Sequence, residues 1–221
     1  MASVKKSQQR SELQSGSRGW SSAELRVLDR LGSTVKIQRF LDSLKYSSDS
    51  RYRSPRTVLS DRIAHCYDGA VFAAMALRRL GFPPLIIDMD GVRDDDHVLA
   101  IFKMNGRFGS IAKSNFVGLR YREPVYASLR ELVMSYFESY YNVAREKTLR
   151  QYTRPLNLTS FDSLDWPFSD EALEAIGDKL SEIRITKIIT PAMARSLSPV
   201  DQRTYEAGLI VANKAGLYKP A

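Results

Sequence analysis

The feature that most constrains the fold is a run of mostly small and apolar residues, CYDGAVFAAMALRRL, at positions 66–80. Nearly every position before Arg78 is apolar or small, and a helix that is apolar on all sides is a buried helix. Gly81 ends the run, and the two prolines at 83–84 prevent a helix from resuming. The sequence therefore predicts a central buried helix that begins at Cys66.

Three short strands are predicted after this helix. Their segments are rich in β-branched and apolar residues and cover 84–89, 98–103 and 107–112. The pair Asn105–Gly106 between the last two is typical of a tight hairpin turn. One buried helix followed by an antiparallel meander predicts an α+β fold, with a small antiparallel sheet packed on the Cys66 helix.

Further helices are predicted on both sides of this core. Residues 1–19 are polar and predict a disordered basic tail, whereas 20–221 predict a single domain with a core at about 58–120. The N-terminal helices start at Ser21 or Ser22, with a stop at Gly32, and at about 35–44. The later elements are a helix from Pro124 to about 140, a helix at about 169–183, a strand at 185–190 and a helix at about 198–212.

The charge of the chain bounds its partners. The 221 residues carry a formal net charge of +8, with a pI of about 9.6. This charge predicts an anionic partner such as RNA, and basic residues spread over the whole surface are the alternative.

A single cysteine excludes an intrachain disulfide. No apolar run approaches the roughly 18 residues needed to cross a bilayer, and the N-terminus lacks a secretory signal, so we expect a cytoplasmic protein without membrane contact. The oligomeric state stays open.

Cys66 is the candidate nucleophile. It lies at the predicted start of the buried helix, where unpaired N–H groups and the helix dipole favour a thiolate. Such a cysteine needs a base. His65 is adjacent in sequence and does not face it, whereas His97 opens a strand 31 residues later, at the same end of the core. We therefore pair Cys66 with His97. An inert core cysteine and a solvated histidine are the alternative.

The residues around this pair resemble a known superfamily. The segment AHCYDGAVFAAMALRRLGFPPLIIDM, followed by DDDHVLAIFKMNGRFGSIA, resembles the transglutaminase-like, or papain-like, cysteine fold over residues 58–120. The run continuing through NFVGLRYREPVYASLRELVMSYFESYYN is similar to a bacterial family of uncharacterised proteins with this core. The resemblance implies a nucleophilic cysteine on a helix, a histidine on a strand and an aspartate on the next strand.

One position departs from that pattern. The superfamily aspartate, which orients the histidine, corresponds here to Ala112. The orienting role then falls to Ser110, Ser114 or Asn115, because asparagine orients an imidazole in the Cys-His-Asn variant. Pairing around the hairpin turn places His97 opposite about Ser114, which favours Ser114 and Asn115. A Cys-His dyad without a third residue and a site that has lost activity are the remaining readings.

Charged residues near the pair are predicted to bind substrate. Asp68 follows the cysteine at the mouth of the pocket, and Asp96 belongs to the acidic run before His97, which suits an amine or guanidinium group. Arg120 and Arg122, in the segment LRYREPVY, suit a phosphate or carboxylate. The alternative for each is an ordinary solvated surface residue.

Metals and cofactors are not expected. The acidic segment DMDGVRDDD lacks the spacing of a calcium loop, and one cysteine with two histidines makes no zinc pattern.

Three functions of different classes follow. The first is an enzyme that forms a thioester on Cys66, with His97 as base, and passes the acyl group to water or an amine. Its substrate would be acyl or peptide-like, and an aminoacyl-tRNA donor would suit the basic charge. The second is a non-catalytic domain that kept the fold, as Ala112 suggests. The third is an RNA-binding protein.

Overall fold

The structure is a computed structural model that describes residues 19–218, so the predicted tail at 1–19 lies outside it except for Gly19. The helices are α1 Ser22–Asp29, α2 Thr34–Asp42, α3 Pro55–Asp61, α4 Cys66–Arg79, α5 Leu129–Met134, α6 Glu171–Ser181, α7 Pro191–Arg195 and α8 Gln202–Gly208. The strands are β1 Lys45–Tyr46, β2 Ile63–Ala64, β3 Leu85–Gly91, β4 His97–Met104, β5 Arg107–Ile111, β6 Arg122–Tyr126, β7 Leu149–Thr153, β8 Leu156–Asn157 and β9 Ile185–Lys187.

The buried helix is confirmed as α4. Every residue from Tyr67 to Leu77 is buried, as expected for a helix without a polar face. Gly81 follows it with φ +87°, a conformation that favours glycine at a helix end. Gly69 lets α4 approach the chain after β5, because a Cβ added there would lie 2.3 Å from the Cβ of Lys113.

An antiparallel sheet runs beside α4 and confirms the α+β class. Its strand order is β6-β5-β4-β3-β7-β9, and β8 also pairs with β3. The residues of β4 alternate between two cores, as strand geometry requires. Val98, Ala100 and Phe102 pack in the core that contains α4, whereas Leu99 and Ile101 pack in a second core on the opposite face, with α5.

The predicted meander is confirmed, and it is part of a larger sheet. β3, β4 and β5 match the three predicted segments, and the chain turns at Asn105 and Gly106, with φ of +50° and +77°. Strands β6 to β8 escaped prediction, because short strands carry a weak periodic signal.

The N-terminal helices and α6 are also confirmed. Ser21 caps α1, since its Oγ accepts the N–H of Glu24 at 3.2 Å and the Glu24 carboxylate accepts the N–H of Ser21 at 2.6 Å. This reciprocal pair is a capping box. In residues 19–218, no helix is long and apolar enough to cross a membrane.

The helix predicted from Pro124 to about 140 is wrong in its first part. Pro124 and Val125 lie in β6 at the edge of the sheet, where proline is tolerated, and Val125 is 62% exposed. The helix α5 begins only after Ser128, whose Oγ accepts the N–H of Glu131 at 3.1 Å. The apolar stripe beyond it still faces the second core.

The helix predicted at about 198–212 is confirmed only in its middle part. One short helix, α8, lies within this range, and it begins only after Asp201, whose carboxylate accepts the N–H of Thr204 at 3.0 Å. After α8 the chain continues through a single 3-10 turn at Lys214–Gly216. The predicted strand at 185–190 is confirmed in part, because β9 ends at Lys187.

Candidate functional site

Cys66 occupies the first position of α4 and is partly exposed. Its Sγ donates to the backbone carbonyl oxygen of Asp96 at 3.6 Å. That carbonyl directly precedes β4, so the thiol lies at the end of the strand that His97 opens. The structure therefore places the predicted nucleophile beside the backbone of the predicted base.

The thiol is not the thiolate that its place at a helix start predicted. Burial raises the pKa of Cys66 to about 12, opposed by the N–H of Val98, and the nearby carboxylates of Asp88 and Asp68 raise it further. The loss of water around the sulfur outweighs the helix N-terminus. Cys66 is a neutral thiol at pH 7, which corrects the sequence-based expectation.

Asp88 is a residue that the sequence analysis missed. It lies on β3 directly opposite Val98, and its Oδ1 is buried without a hydrogen-bond partner among the described residues. Burial, together with Asp96 and Asp90, raises the pKa of Asp88 to about 7. The only signal in the sequence was an acid within the apolar run LIIDM.

His97 is held by a backbone carbonyl. The ring is 5% exposed, and its Nε2 lies 2.8 Å from the carbonyl oxygen of Leu119. A carbonyl oxygen only accepts, so Nε2 carries the proton and Nδ1 carries the lone pair. Burial lowers the pKa of His97 to about 4, against the effect of the Leu119 carbonyl. The imidazole is therefore neutral at pH 7 and has a basic nitrogen available.

The thiol and the imidazole approach β4 from different sides. His97 pairs with Met89 across the sheet and shares its face, whereas Val98 faces α4. Among the described residues, no hydrogen bond joins Cys66 to His97. A bridging water, or rotation of the Cys66 side chain around the end of the strand, is needed for a proton to pass between them.

The Leu119 carbonyl is itself fixed by a polar cluster. Arg122 donates to the carbonyl oxygen of Gly118 at 2.8 Å and lies 3.9 Å from the ring centre of Tyr136. Tyr136 donates to the carbonyl oxygen of Arg120 at 2.6 Å. Arg122, predicted to bind an anionic substrate, is thus committed to the turn that carries Leu119.

None of the three candidate orienting residues forms a hydrogen bond with His97 within residues 19–218, and the Ser110 Oγ pairs instead with the Tyr136 hydroxyl at 2.6 Å. The Ser114 Oγ accepts the N–H of Phe116 at 3.0 Å. The Asn115 side chain bonds the segment near the end of the described chain, with its Oδ1 accepting the N–H of Asn213 at 2.7 Å. The pairing of β4 with β5 ends at Ala100 and Ile111, so Ser114 lies beyond the paired strands, although it lines the same cavity as His97.

Asp68 is a structural anchor. It is 0% exposed, and its carboxylate accepts the backbone N–H of Arg53 at 2.9 Å and of His65 at 3.2 Å. The Arg53 guanidinium lies 3.8 Å away. Burial raises the pKa of Asp68 to about 7, and these N–H groups oppose the rise. Because Asp68 is enclosed, a substrate cannot reach it without rearrangement of this cluster.

The remaining predicted binding residues also have partners within the protein. The Asp96 carboxylate accepts the N–H of Gly91 at 3.3 Å, and Asp96 lines the cavity beside His97. Arg120 pairs with Asp42 at 3.1 Å on the surface. Within residues 19–218, no group of three or more His, Cys, Asp or Glu side chains is arranged to hold a metal ion.

No protein-family model matches the chain, and no curated protein matches it. Among solved structures, it is similar to LapG of Legionella pneumophila treated with EGTA, with 15% identity and a TM-score of 0.38 over 76% of this chain and 96% of that chain. A second structure of Legionella pneumophila LapG matches with 14% identity and a TM-score of 0.38, over 75% and 97% of the two chains.

Proposed function

We propose that this protein catalyses cysteine-dependent acyl transfer, through a thioester on Cys66 with His97 as the base. The supporting observation is the 2.8 Å contact between His97 Nε2 and the Leu119 carbonyl, at the strand end that the Cys66 thiol also contacts. This contact leaves Nδ1 unprotonated and fixes the ring. The Leu119 carbonyl thereby takes the role of the missing aspartate.

The proposed chemistry starts from a neutral pair. Nδ1 of His97 takes the thiol proton, through a bridging water or after the Cys66 side chain rotates around the strand end, as the Cys66 sulfur attacks the carbonyl carbon of the substrate. The carbon–heteroatom bond then breaks, and the leaving amine or alcohol takes that proton from the imidazolium. Water or an amine attacks the thioester, loses a proton to Nδ1, and the thiol leaves with that proton. The acceptor decides between hydrolysis and amide formation.

Charge developing on the substrate oxygen needs donors. The N–H of Cys66, at the first helical position, has no carbonyl of α4 to bond and suits this role. The positive end of the α4 dipole acts in the same direction. Both effects act on the oxyanion during reaction and leave the resting thiol protonated.

An activated ester tests this proposal without knowledge of the natural substrate. The full chain is incubated with p-nitrophenyl acetate at pH 7, and the intact mass and the acetylated residue are followed over time. We expect one acetyl group on Cys66 of the parent chain, none at position 66 in Cys66→Ala, and at least roughly a hundredfold slower transfer in His97→Ala. His65→Gln, which changes the other histidine, is the matched control. Equal rates in His97→Ala and the parent chain would contradict the proposal.

A further inference from the structure

The cavity beside His97 is covered by a later part of the chain. Its wall includes His97, Asp96, Asn115 and Tyr140, and Gly216 and Tyr218 also line it. The cavity volume is about 40 Å³, which is enough for a few water molecules. Movement of residues 213–218, called the strap below, would widen the approach to this side of His97, because Gly216 and Tyr218 form part of the wall.

Asn115 holds the strap by its main chain. The Asn115 amide nitrogen donates to the carbonyl oxygens of Asn213 at 2.8 Å and Gly216 at 3.2 Å, and its Oδ1 accepts the N–H of Asn213 at 2.7 Å. An amide side chain that bonds both the N–H and the C=O of one residue recognises a peptide backbone irrespective of side chain. Asn213 also donates to the carbonyl oxygen of Tyr46 at 3.0 Å.

The surface that holds the strap, formed by Asn115, Tyr46 and Ser47, is called its seat below. Gly216 lies in a narrow part of this seat. A Cβ added there would lie 3.1 Å from the carbonyl oxygen of Ser47 and 3.1 Å from the Tyr46 ring. These distances are tighter than ordinary van der Waals contact, so the seat favours the absence of a side chain at this position. The seat therefore accommodates only a very small residue at this position, and it binds the neighbouring main chain by hydrogen bonds.

The strap is weakly attached to the rest of the fold. No residue between 201 and 218 is buried, so its removal exposes little apolar surface. Val211, just before the strap, is 97% exposed and has φ +58°, a region that β-branched residues rarely adopt. Strain at Val211 favours release of the strap, because the open form lets this residue return to an extended conformation.

We propose that the strap is a displaceable cover over the His97 cavity, and that its seat is a binding site for a polypeptide in a tight turn with a very small residue at the place of Gly216. The strap occupies this site as an intramolecular peptide. Assignment of the site to a peptide acyl donor rests on the proposed function, whereas opening of the strap does not.

The test uses two full-chain variants that open the strap by different means. Gly216→Val places methyl groups against Tyr46 and Ser47, and Asn115→Leu removes the three main-chain hydrogen bonds. Ala215→Val adds similar bulk at the exposed neighbouring position and is the matched control. The readout is the NMR titration of the His97 ring, assigned with the help of His65→Gln, with circular dichroism as the check on folding.

We expect the pKa of His97 to rise from about 4 toward the ordinary value near 6.5 in both opening variants and to stay unchanged in Ala215→Val. The synthetic peptide VANKAGLYKPA, which corresponds to residues 211–221, should restore the low pKa in Gly216→Val, and the same peptide with valine for its glycine should not. An unchanged pKa of His97 in both opening variants would overturn the proposal that the strap covers the cavity. Opening without any effect of the peptide would overturn the peptide site. Acylation of Cys66 is not part of this measurement. A failure of the proposed acyl transfer can therefore be distinguished from a failure of the strap proposal.

Discussion

His97 Nε2 and the carbonyl oxygen of Leu119 are 2.8 Å apart, although the two residues are separated by 22 positions and belong to different elements. The contact selects one tautomer of the imidazole and leaves Nδ1 as its basic nitrogen. In the proposed mechanism it also takes the place of the aspartate to which Ala112 corresponds. Every chemical role proposed for His97 depends on where this carbonyl lies.

The position of the Leu119 carbonyl can be tested through Gly118. A Cβ added at Gly118 would lie 2.5 Å from the Cβ of Ser139, so Gly118→Ala must shift the turn. We expect Cys66 acylation to slow by about fivefold to tenfold, the value of one hydrogen bond of about 1–1.5 kcal/mol. Nitrogen NMR shifts of His97 should show a mixture of tautomers.

The double variant Gly118→Ala, Ser139→Gly removes the clash and is the control. It should restore both the acylation rate and the single tautomer. A Gly118→Ala variant that keeps the Nε2–H tautomer and the parent rate would contradict the orienting role of Leu119.

Substitution of Asp88 should change stability in a pH-dependent way. Its pKa is raised to about 7 in the folded state, compared with about 3.9 unfolded, so its protonated form favours folding below about pH 4 and this contribution is lost as pH rises through 7. Asp88→Asn is neutral at every pH. We expect it to raise the free energy of unfolding by up to about 4 kcal/mol at pH 8, and to have little effect at pH 4.

Urea unfolding at the two pH values measures this difference, with Asp178→Asn on the exposed side of α6 as the control. Asp88→Asn should also lower the pKa of the Cys66 thiol, since the Asp88 carboxylate raises it. A stability gain of equal size at pH 4 and pH 8 would contradict a raised Asp88 pKa.

The central helix and the meander could be predicted because their signals are local. An apolar run fixed α4, and Asn105–Gly106 fixed the turn between β4 and β5. The Leu119 carbonyl could not be predicted, because a main-chain acceptor has no side-chain signature. The prediction of a lowered Cys66 pKa was wrong for a related reason. Burial of Cys66 raises this pKa, and that burial depends on distant segments that pack around the thiol. The prediction of a helix at 124–140 was wrong in its first part, because an edge strand accommodates Pro124.

Asp68 should behave as a structural residue. Asp68→Ala leaves the backbone N–H groups of Arg53 and His65 without an acceptor and removes a carboxylate close to the buried Arg53 charge. We expect a loss of about 3–5 kcal/mol in the free energy of unfolding. Asp61→Ala removes a more exposed carboxylate 3.4 Å from the same guanidinium and should cost about 0–1 kcal/mol. Urea unfolding of both variants measures these losses. Equal losses in the free energy of unfolding would contradict the structural role of Asp68.

Gly69 should be intolerant of a single methyl group. Gly69→Ala would place a Cβ 2.3 Å from the Lys113 Cβ, so α4 must move away from the sheet. We expect a loss of about 1–3 kcal/mol from overpacking. Gly177→Ala on α6, whose nearest atom is 3.7 Å away, should instead gain about 0.8–1 kcal/mol from helix propensity. Thermal unfolding compares the two variants, and a Gly69→Ala protein as stable as the parent would contradict the close contact.

The pH dependence of Cys66 acylation by p-nitrophenyl acetate tests the proposed pair most directly. Between about pH 6 and 9 the imidazole, with a pKa of about 4, is already neutral, and the thiol, with a pKa of about 12, is still protonated. We therefore predict a rate that is constant over this range in the parent chain. In His97→Ala the rate should be lower and rise about tenfold per pH unit, because only the thiolate then reacts. A tenfold rise per pH unit in both proteins would contradict the role of His97 as the base for Cys66.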